Sequence, residues 1–326
     1  MKKISRRLLS AVSAGGLLYV AGSWVASRAL AERLLSSRGL GPTPDRYDEL
    51  FAALETHAPI VGSLRHNGSP RLPVGLASTF ASPGEPERRP TILFLHGKGG
   101  NASEWREEAA RALSLGYNVL LPDLRGHGRS GGSFFTLGFL EKEDLALTVA
   151  AANAGFGLDP ERIGIHSCSA GSSVALEFAA DRPGIRAIWL ESPFAEPLAM
   201  ARHYLSRATR VPAPLLGLTT HWAVRRAVAR VRRELGLPPG AEGLDRVDPL
   251  AAVARVHAPI LLVHGVDDRL VPSRFTERLA AALPPRSGVW NVPGAGHCHH
   301  GNAPQAVARN AYARKWEEFF TTYLPA

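Results

Sequence analysis

Ser169, His297 and the aspartates at positions 267 and 268 have the residue types that nucleophilic acyl transfer requires. Ser169 follows a short apolar run and has small residues around it, with Ser167 two positions before and Gly171 two positions after. A strand, a sharp turn and a helix of this composition form a nucleophile elbow, which exposes the serine hydroxyl. The usual pattern has glycine where Ser167 stands, and an ordinary turn rich in serine and glycine is the competing interpretation. The choice between these two interpretations therefore depends on whether the rest of the chain supplies a catalytic base and acid.

A serine hydroxyl is a weak nucleophile, so a histidine must accept its proton and later return it to the leaving group. His297 follows a predicted strand and a turn rich in small residues, which places it at a strand end. An acidic residue must then orient the imidazole and stabilise its protonated form. Asp267 and Asp268 both follow another predicted strand, and the residues alone leave the choice between them open.

Strands and helices must alternate to place these side chains at one edge of a sheet. Unbroken apolar runs predict strands buried on both faces, and helical patterns lie between them. Asn67-Gly68 between short extended runs adds a hairpin at Leu64–Phe80. The predicted parallel strands are Thr91–Leu95, Asn118–Asp123, Arg162–His166, Ala187–Leu190, Pro259–Gly265 and Val289–Val292. This alternation predicts an α/β fold whose ligands bind beyond the carboxyl ends of the strands.

Four separate segments resemble the α/β-hydrolase superfamily. They are the His96-Gly97 loop, the run Asp123–Gly128, the Ser169 elbow, and the pairing of His264–Asp268 with Gly294–His297. The resemblance covers residues 64–326 and implies the α/β-hydrolase fold, with a mostly parallel central sheet flanked by helices. Helical and Pro-rich sequence at about 193–249 interrupts the alternation of strands and helices, which predicts a small helical lid inserted there. Residues 32–63 are predicted to form a linker with a short helix around Tyr47–Leu54.

The same resemblance assigns roles to individual residues. The acid of the superfamily usually lies three residues after the glycine of its loop, which selects Asp268 and leaves Asp267 as a surface neighbour or helix cap. The oxyanion donors would be the backbone amides of Lys98 and Ala170. We expect structural roles for the other histidines near the motifs: His127, His166 and His264.

The two cysteines of the chain flank the proposed catalytic residues. Cys168 directly precedes Ser169, and Cys298 directly follows His297. Because Ser169 and His297 must meet, their neighbours come close, and an exported domain would allow them to oxidise to a disulfide. This arrangement resembles that of the tannase and feruloyl esterase family, although those enzymes are longer and carry a much larger lid. Two buried free thiols are the alternative.

The charge and the N-terminal residues bear on location. The 326 residues carry a formal net charge of +9, but the arginines are spread along the chain and no nucleic-acid motif is present, so no nucleic-acid partner is expected. Basic residues precede an uncharged stretch at Leu8–Ser27, which predicts a membrane anchor within residues 1–31 and an exported, periplasmic or extracellular catalytic domain. Signal cleavage near Ala31, a twin-arginine signal at Arg6-Arg7 and a buried amphipathic helix are the alternatives.

The lid region contains a helix with two distinct faces. Valines and a leucine line one face, and arginines occupy the other: Val224, Val228, Val231 and Leu235 against Arg225, Arg226, Arg230, Arg232 and Arg233. The apolar face could cover a hydrophobic substrate, or the arginines could contact anionic lipid. A surface helix packed on the core is the simpler interpretation.

These observations favour a serine hydrolase that cleaves small-molecule carboxylic esters through an acyl-enzyme intermediate. A peptidase or acyltransferase with the same triad is the first alternative, because the fold settles neither the bond nor the acceptor. A non-catalytic binding protein that retains the fold is the second. We expect no cofactor and no metal ion, since His297-Cys298-His299-His300 has no second ligand cluster at suitable spacing.

Overall fold

The computed structural model describes residues 2–37, 45–238, 244–298 and 306–326. The chain divides into two compact units. The larger unit comprises Ser37–Glu196 and Arg246–Ala326, and the smaller unit comprises Met1–Ser36 and Pro197–Asp245.

The described part of the larger unit contains one sheet of eight strands in the order β1-β2-β4-β3-β5-β6-β7-β8. The first two strands form the predicted antiparallel hairpin, and β2 also pairs antiparallel with β4. All other pairs are parallel, which confirms the predicted mostly parallel sheet. The strands are β1 (Ile60–Asn67), β2 (Gly75–Ser82), β3 (Thr91–Leu95), β4 (Asn118–Pro122), β5 (Ile163–Cys168), β6 (Ile185–Glu191), β7 (Ile260–Gly265) and β8 (Gly288–Val292).

Helices of the larger unit flank this sheet. Every residue of β3, β4 and β5 is buried, as expected for parallel strands covered by helices on both faces. The last helix shows how one such face is built, because Tyr312, Trp316 and Phe320 recur every four residues and are all buried. The helices are α2 (Tyr47–His57), α3 (Arg106–Ser114), α4 (Glu141–Phe156), α5 (Ala170–Ala179), α8 (Pro249–Val253), α9 (Ser273–Ala280) and α10 (Ala306–Tyr323).

The smaller unit is helical and contains α1 (Lys2–Leu35), α6 (Pro197–Thr209) and α7 (Gly217–Glu234). Helix α1 packs along α7 through small side chains, since Ser27, Ala223 and Ala227 are almost fully buried. Arg226 donates from Nε to the Ser27 hydroxyl at 2.9 Å, and its guanidinium lies 3.8 Å from the centre of the Trp24 ring. The helices of the predicted lid thus share a compact unit with the N-terminal helix.

The predicted membrane anchor at Leu8–Ser27 requires correction. This stretch is part of α1, but no helix in the described ranges is long and apolar enough to cross a membrane. Glycine and serine occupy seven of its twenty positions, which lowers its mean hydropathy.

Candidate active site

The predicted elbow lies at the carboxyl end of β5, in the middle of the sheet. Ser169 stands between β5 and α5 with φ 52° and ψ −121°, a backbone conformation that is strained for a residue with a side chain. Its amide donates to the carbonyl of Glu191 at 2.8 Å, and its carbonyl accepts from the amide of Ser172 at 2.9 Å. These bonds hold the strained turn that presents a serine at the end of a strand.

The small residues around Ser169 have a packing reason. A Cβ atom on Gly171 would lie 2.5 Å from the carbonyl oxygen of His96, so no larger residue fits where α5 passes β3. Ser167, at the position where the usual pattern has glycine, is fully buried, and its hydroxyl donates to that of Ser172 at 3.2 Å. The departure from the pattern is therefore accommodated by a local hydrogen bond.

His297 and Asp268 are in direct contact. The Nδ1 atom of His297 lies 2.9 Å from Oδ2 of Asp268, while Oδ1 accepts from the amides of Leu270 and Val271 at 2.8 and 2.9 Å. The Asp268 side chain is fully buried, whereas Asp267 is exposed. Of the two candidate acids, the structure places Asp268 against the imidazole.

The pKa of Asp268 reflects opposing influences. Burial alone would raise it, but the hydrogen bond and charge of His297 outweigh burial. With the Val271 amide and the Ser192 hydroxyl also bonding to the carboxylate, the pKa of Asp268 falls to about 2. The group therefore remains an anion at every pH where a histidine can act as a base.

Acid is expected to remove about 2 kcal/mol of stability that ionised Asp268 supplies, because its pKa is lowered from 3.8 to about 2. A lowered folded pKa means that the contribution is complete above the unfolded value, near pH 4, and is lost as the pH falls towards 2. Urea unfolding at about pH 6 and about pH 2 should show the stability difference between wild type and Asp268→Asn shrinking by that amount. The exposed neighbour provides the matched control Asp267→Asn, which should show no such change. A pH-independent difference for Asp268→Asn would contradict the prediction.

The loops that carry Asp268 and His297 pack tightly against each other. The amide of Asp267 donates to the carbonyl of Ala295 at 2.9 Å, which joins the two loops. A Cβ atom on Gly265 would lie 2.1 Å from the carbonyl oxygen of Gly296, so glycine is required where β7 ends. The contact between acid and imidazole is thus set by backbone packing as well as by their own hydrogen bond.

A disulfide joins the elbow to the histidine loop. It links Cys168 and Cys298, which are 130 residues apart in sequence and have their Cα atoms 5.8 Å apart. Both cysteines are buried. Because each is the chain neighbour of a candidate residue, the bond holds the backbones at Ser169 and His297 close together.

Ser192 is a site residue that the sequence analysis missed. Its hydroxyl accepts from the amide of Cys298 at 3.2 Å and also bonds to the carboxylate of Asp268. It follows β6 with φ 46°, and its amide donates to the carbonyl of Val263 at 2.8 Å. A polar residue directly after a buried strand was the signal that could have identified it.

The loop after β3 lies beside the elbow. A Cβ atom on Gly97 would be 3.4 Å from that of Ser169, so the loop backbone passes close to the serine. Nε2 of His96 accepts from the amide of Leu124 at 3.0 Å, so Nδ1 carries the proton and donates to the carbonyl of Gly97 at 2.8 Å. The predicted oxyanion donors, the amides of Lys98 and Ala170, lie on this loop and at the first residue of α5.

The region beneath the elbow contains a buried polar network. Nδ1 of His166 accepts from the indole of Trp316 at 3.1 Å, so Nε2 donates to Oε1 of Glu191 at 3.1 Å. The hydroxyl of Tyr312 also bonds to this carboxylate, and burial raises the pKa of Tyr312 well above its usual value. Since the Glu191 carbonyl accepts from the Ser169 amide, the network supports the strand end beside the serine.

The other two motif histidines are buried as well. Burial lowers the pKa of His127 to about 3, so its imidazole is neutral, and it packs edge-on against the ring of His96. His264 Nδ1 lies 2.9 Å from the hydroxyl of Thr276. Their contacts are with the protein interior.

Asp123 anchors the loop after β4, which the sequence analysis singled out without identifying the residues that bond to this carboxylate. Its carboxylate accepts from the hydroxyl of Tyr47 at 2.6 and 2.7 Å and from the amides of Ala102 and Arg129, each at 2.9 Å. The Arg129 guanidinium lies 3.7 Å from the centre of the Tyr47 ring. Helix α2 is therefore fastened to the loops after β3 and β4.

The described residues contain no group of three or more His, Cys, Asp or Glu side chains that could hold a metal ion. His299 and His300, which belong to the histidine-rich run weighed in the sequence analysis, lie outside the described residues.

Comparisons with known proteins identify the family and the fold of this chain. The model of the "Alpha/beta hydrolase family" matches residues 92–310. The uncharacterized protein YqkD of Bacillus subtilis is 32% identical over 195 residues, which span 58% of this chain and only 58% of YqkD. The esterase Pf2001 of Pyrococcus furiosus matches with a TM-score of 0.62 and 20% identity, covering 88% of this chain and 98% of that one. An acylaminoacyl peptidase of Pyrococcus horikoshii matches with a TM-score of 0.59 and 18% identity, covering 86% of this chain and 44% of that one. At these identities the solved structures show the fold alone.

Proposed function

The chain belongs to the alpha/beta hydrolase family, and from that premise we propose that it is a serine hydrolase that cleaves small-molecule carboxylic esters. In this proposal Ser169 is the nucleophile, His297 the general base and acid, and Asp268 the orienting acid. The observation that supports it most is the contact between His297 and Asp268, because the disulfide holds the loop that carries His297 next to the residue that precedes Ser169.

The reaction would proceed in two stages. Because Nδ1 of His297 is engaged by Asp268, Nε2 is left to take the proton of the Ser169 hydroxyl as its oxygen attacks the ester carbonyl carbon. The amides of Lys98 and Ala170 would stabilise the oxyanion of the tetrahedral intermediate. The intermediate collapses to an acyl-enzyme as His297 protonates the departing alcohol.

Water then replaces the alcohol in the second stage. His297 takes a proton from the water, whose oxygen attacks the acyl carbon, and returns that proton to the Ser169 oxygen as the acid is released. The anion of Asp268 stabilises the protonated imidazole in both stages, and its low pKa keeps it ionised throughout.

Two finer expectations accompany this proposal. The disulfide supports a location of the catalytic domain in an oxidising compartment, as predicted for an exported domain. The likeness to tannases and feruloyl esterases rests on the cysteine pair, so it argues for a shared way of joining the two loops and leaves the acyl group open.

Fluorophosphonate labelling together with a substrate panel tests the proposal. We expect label on the peptide that contains Ser169, cleavage of short-chain p-nitrophenyl esters, and no cleavage of peptide p-nitroanilides. Cleavage of the anilides with poor cleavage of the esters would identify a peptidase. Absence of both label and turnover in folded protein would favour a binding protein that retains the fold.

A further inference from the structure

The positive charge of the chain is concentrated in its smaller unit. The residues of Met1–Ser36 and Pro197–Asp245 include 14 lysines and arginines against 4 acidic residues, a net charge of +10. The whole chain has 38 basic and 29 acidic residues, so the larger unit has 24 against 25, a net charge of −1. The basic character of the protein is thus a property of the smaller unit alone.

The same unit exposes an apolar stripe on α1. Leu17, Leu18, Trp24 and Val25 are 70%, 74%, 52% and 68% exposed. They stand at positions i, i+1, i+7 and i+8, which fall on one face of a helix. Ser27, on another face, is buried against α7. We call these four side chains the α1 stripe.

Positive groups border the α1 stripe. Arg28 is exposed and lies four residues after Trp24, on the face that carries the stripe. Arg226 of α7 holds its guanidinium over the Trp24 ring, and Trp222 packs edge-on against the same ring at 5.4 Å. An apolar stripe with aromatic rings and arginines at its margin is the composition of a helix that lies in a membrane interface.

We propose that the smaller unit docks on the surface of an anionic lipid bilayer. The α1 stripe would enter the boundary between headgroups and acyl chains, and the arginines would contact the lipid phosphates. Such docking requires a helix that lies on the bilayer and needs no helix that crosses it. The net charge of +10 disfavours a second copy of this unit as the occupant, since the two would repel each other. Nucleic acid would leave the apolar side chains in water.

Co-sedimentation of the full chain with lipid vesicles tests this proposal. We expect binding to vesicles of phosphatidylcholine with roughly 30% phosphatidylglycerol, little binding to pure phosphatidylcholine, and loss of binding in high salt. Hydrolysis of a soluble ester without vesicles is measured in parallel, so that failure of docking is distinguished from failure of the proposed activity.

Matched variants separate the contribution of the apolar side chains to vesicle binding from the contribution of the positive charges. The double variant Leu18→Ser/Val25→Ser should lower the affinity for anionic vesicles at least about tenfold, whereas Leu147→Ser, at an exposed site on α4, should not. Arg28→Glu should lower it about tenfold, and Arg314→Glu, exposed on α10, should have little effect. All four should unfold at temperatures close to that of the wild type.

Three results would overturn the proposal. They are no binding to either kind of vesicle, equal binding to neutral and anionic vesicles, or equal loss of binding in the test and control variants. Self-association that the α1 stripe variants abolish, without vesicle binding, would assign the stripe to a second copy instead.

Discussion

Replacing Ser169 with alanine is expected to lower kcat for a p-nitrophenyl ester at least about 10⁴-fold. The substitution removes the only oxygen that the proposed mechanism uses to form the acyl-enzyme, while the oxyanion donors and the His297–Asp268 pair remain. KM should change far less than kcat, because the loss falls on the transition state. Steady-state kinetics on protein whose fold is verified by its unfolding temperature measures the effect.

Ser172→Ala is the matched control for this experiment. Ser172 is a buried serine of α5, three residues after Ser169, and its hydroxyl bonds to Ser167 rather than to a reacting group. We expect this variant to retain activity within about tenfold of the wild type. A Ser169→Ala variant that keeps most of its activity, or a Ser172→Ala variant that loses as much, would refute the assignment of the nucleophile.

Loss of the Cys168–Cys298 disulfide is expected to lower the free energy of unfolding by about 2–4 kcal/mol. The bond closes a segment of 130 residues, so its removal greatly enlarges the unfolded ensemble. For a domain of this size the melting temperature should fall by about 5–15 °C. Activity should fall too, because the histidine loop loses its covalent tie to the elbow. Thermal melts and ester kinetics of the wild type and of Cys168→Ala/Cys298→Ala, with and without reductant, measure both effects.

The double variant supplies its own control, since the chain has no other cysteine. Reductant should affect the wild type and leave the double variant unchanged. Equal melting temperatures and equal ester kinetics for the reduced wild type, the oxidised wild type and the double variant would show that the bond has neither a stabilising nor a positioning role.

The sheet and the position of the elbow could be predicted from sequence because their signals are local. An apolar run such as Thr91–Leu95 identifies a buried strand without knowledge of its neighbours, and Asn67-Gly68 indicates a hairpin between two strands, although β1 and β2 extend a few residues beyond the predicted region. The choice between Asp267 and Asp268 needed the resemblance to a family, because only the fold shows which carboxylate faces His297.

What the sequence did not reveal depends on contacts between distant residues. Tyr47 reaches Asp123, and Tyr312 reaches Glu191, across separations of 76 and 121 residues that no periodic pattern encodes. The N-terminal helix illustrates the same difficulty: its uncharged stretch after basic residues suggested a membrane anchor, but Ser27 packs against a helix about 200 residues away. Glycine and serine allow close approach between helices in either setting, so composition alone did not separate the two.

The presence of two cysteines, already joined across the site, also simplifies oxidative maturation. Two thiols permit a single intramolecular pairing, so the chain has no isomeric disulfides to sort and no need for an enzyme that reshuffles them. Cys168 ends β5 and Cys298 lies in the loop after β8, so the two residues come together only after the parallel strands have assembled, and both are buried in the folded protein. The reaction that competes with this bond is therefore disulfide formation between two chains. A chain oxidised before its sheet forms could form disulfide-linked dimers, whereas a chain oxidised afterwards would form only the intramolecular bond.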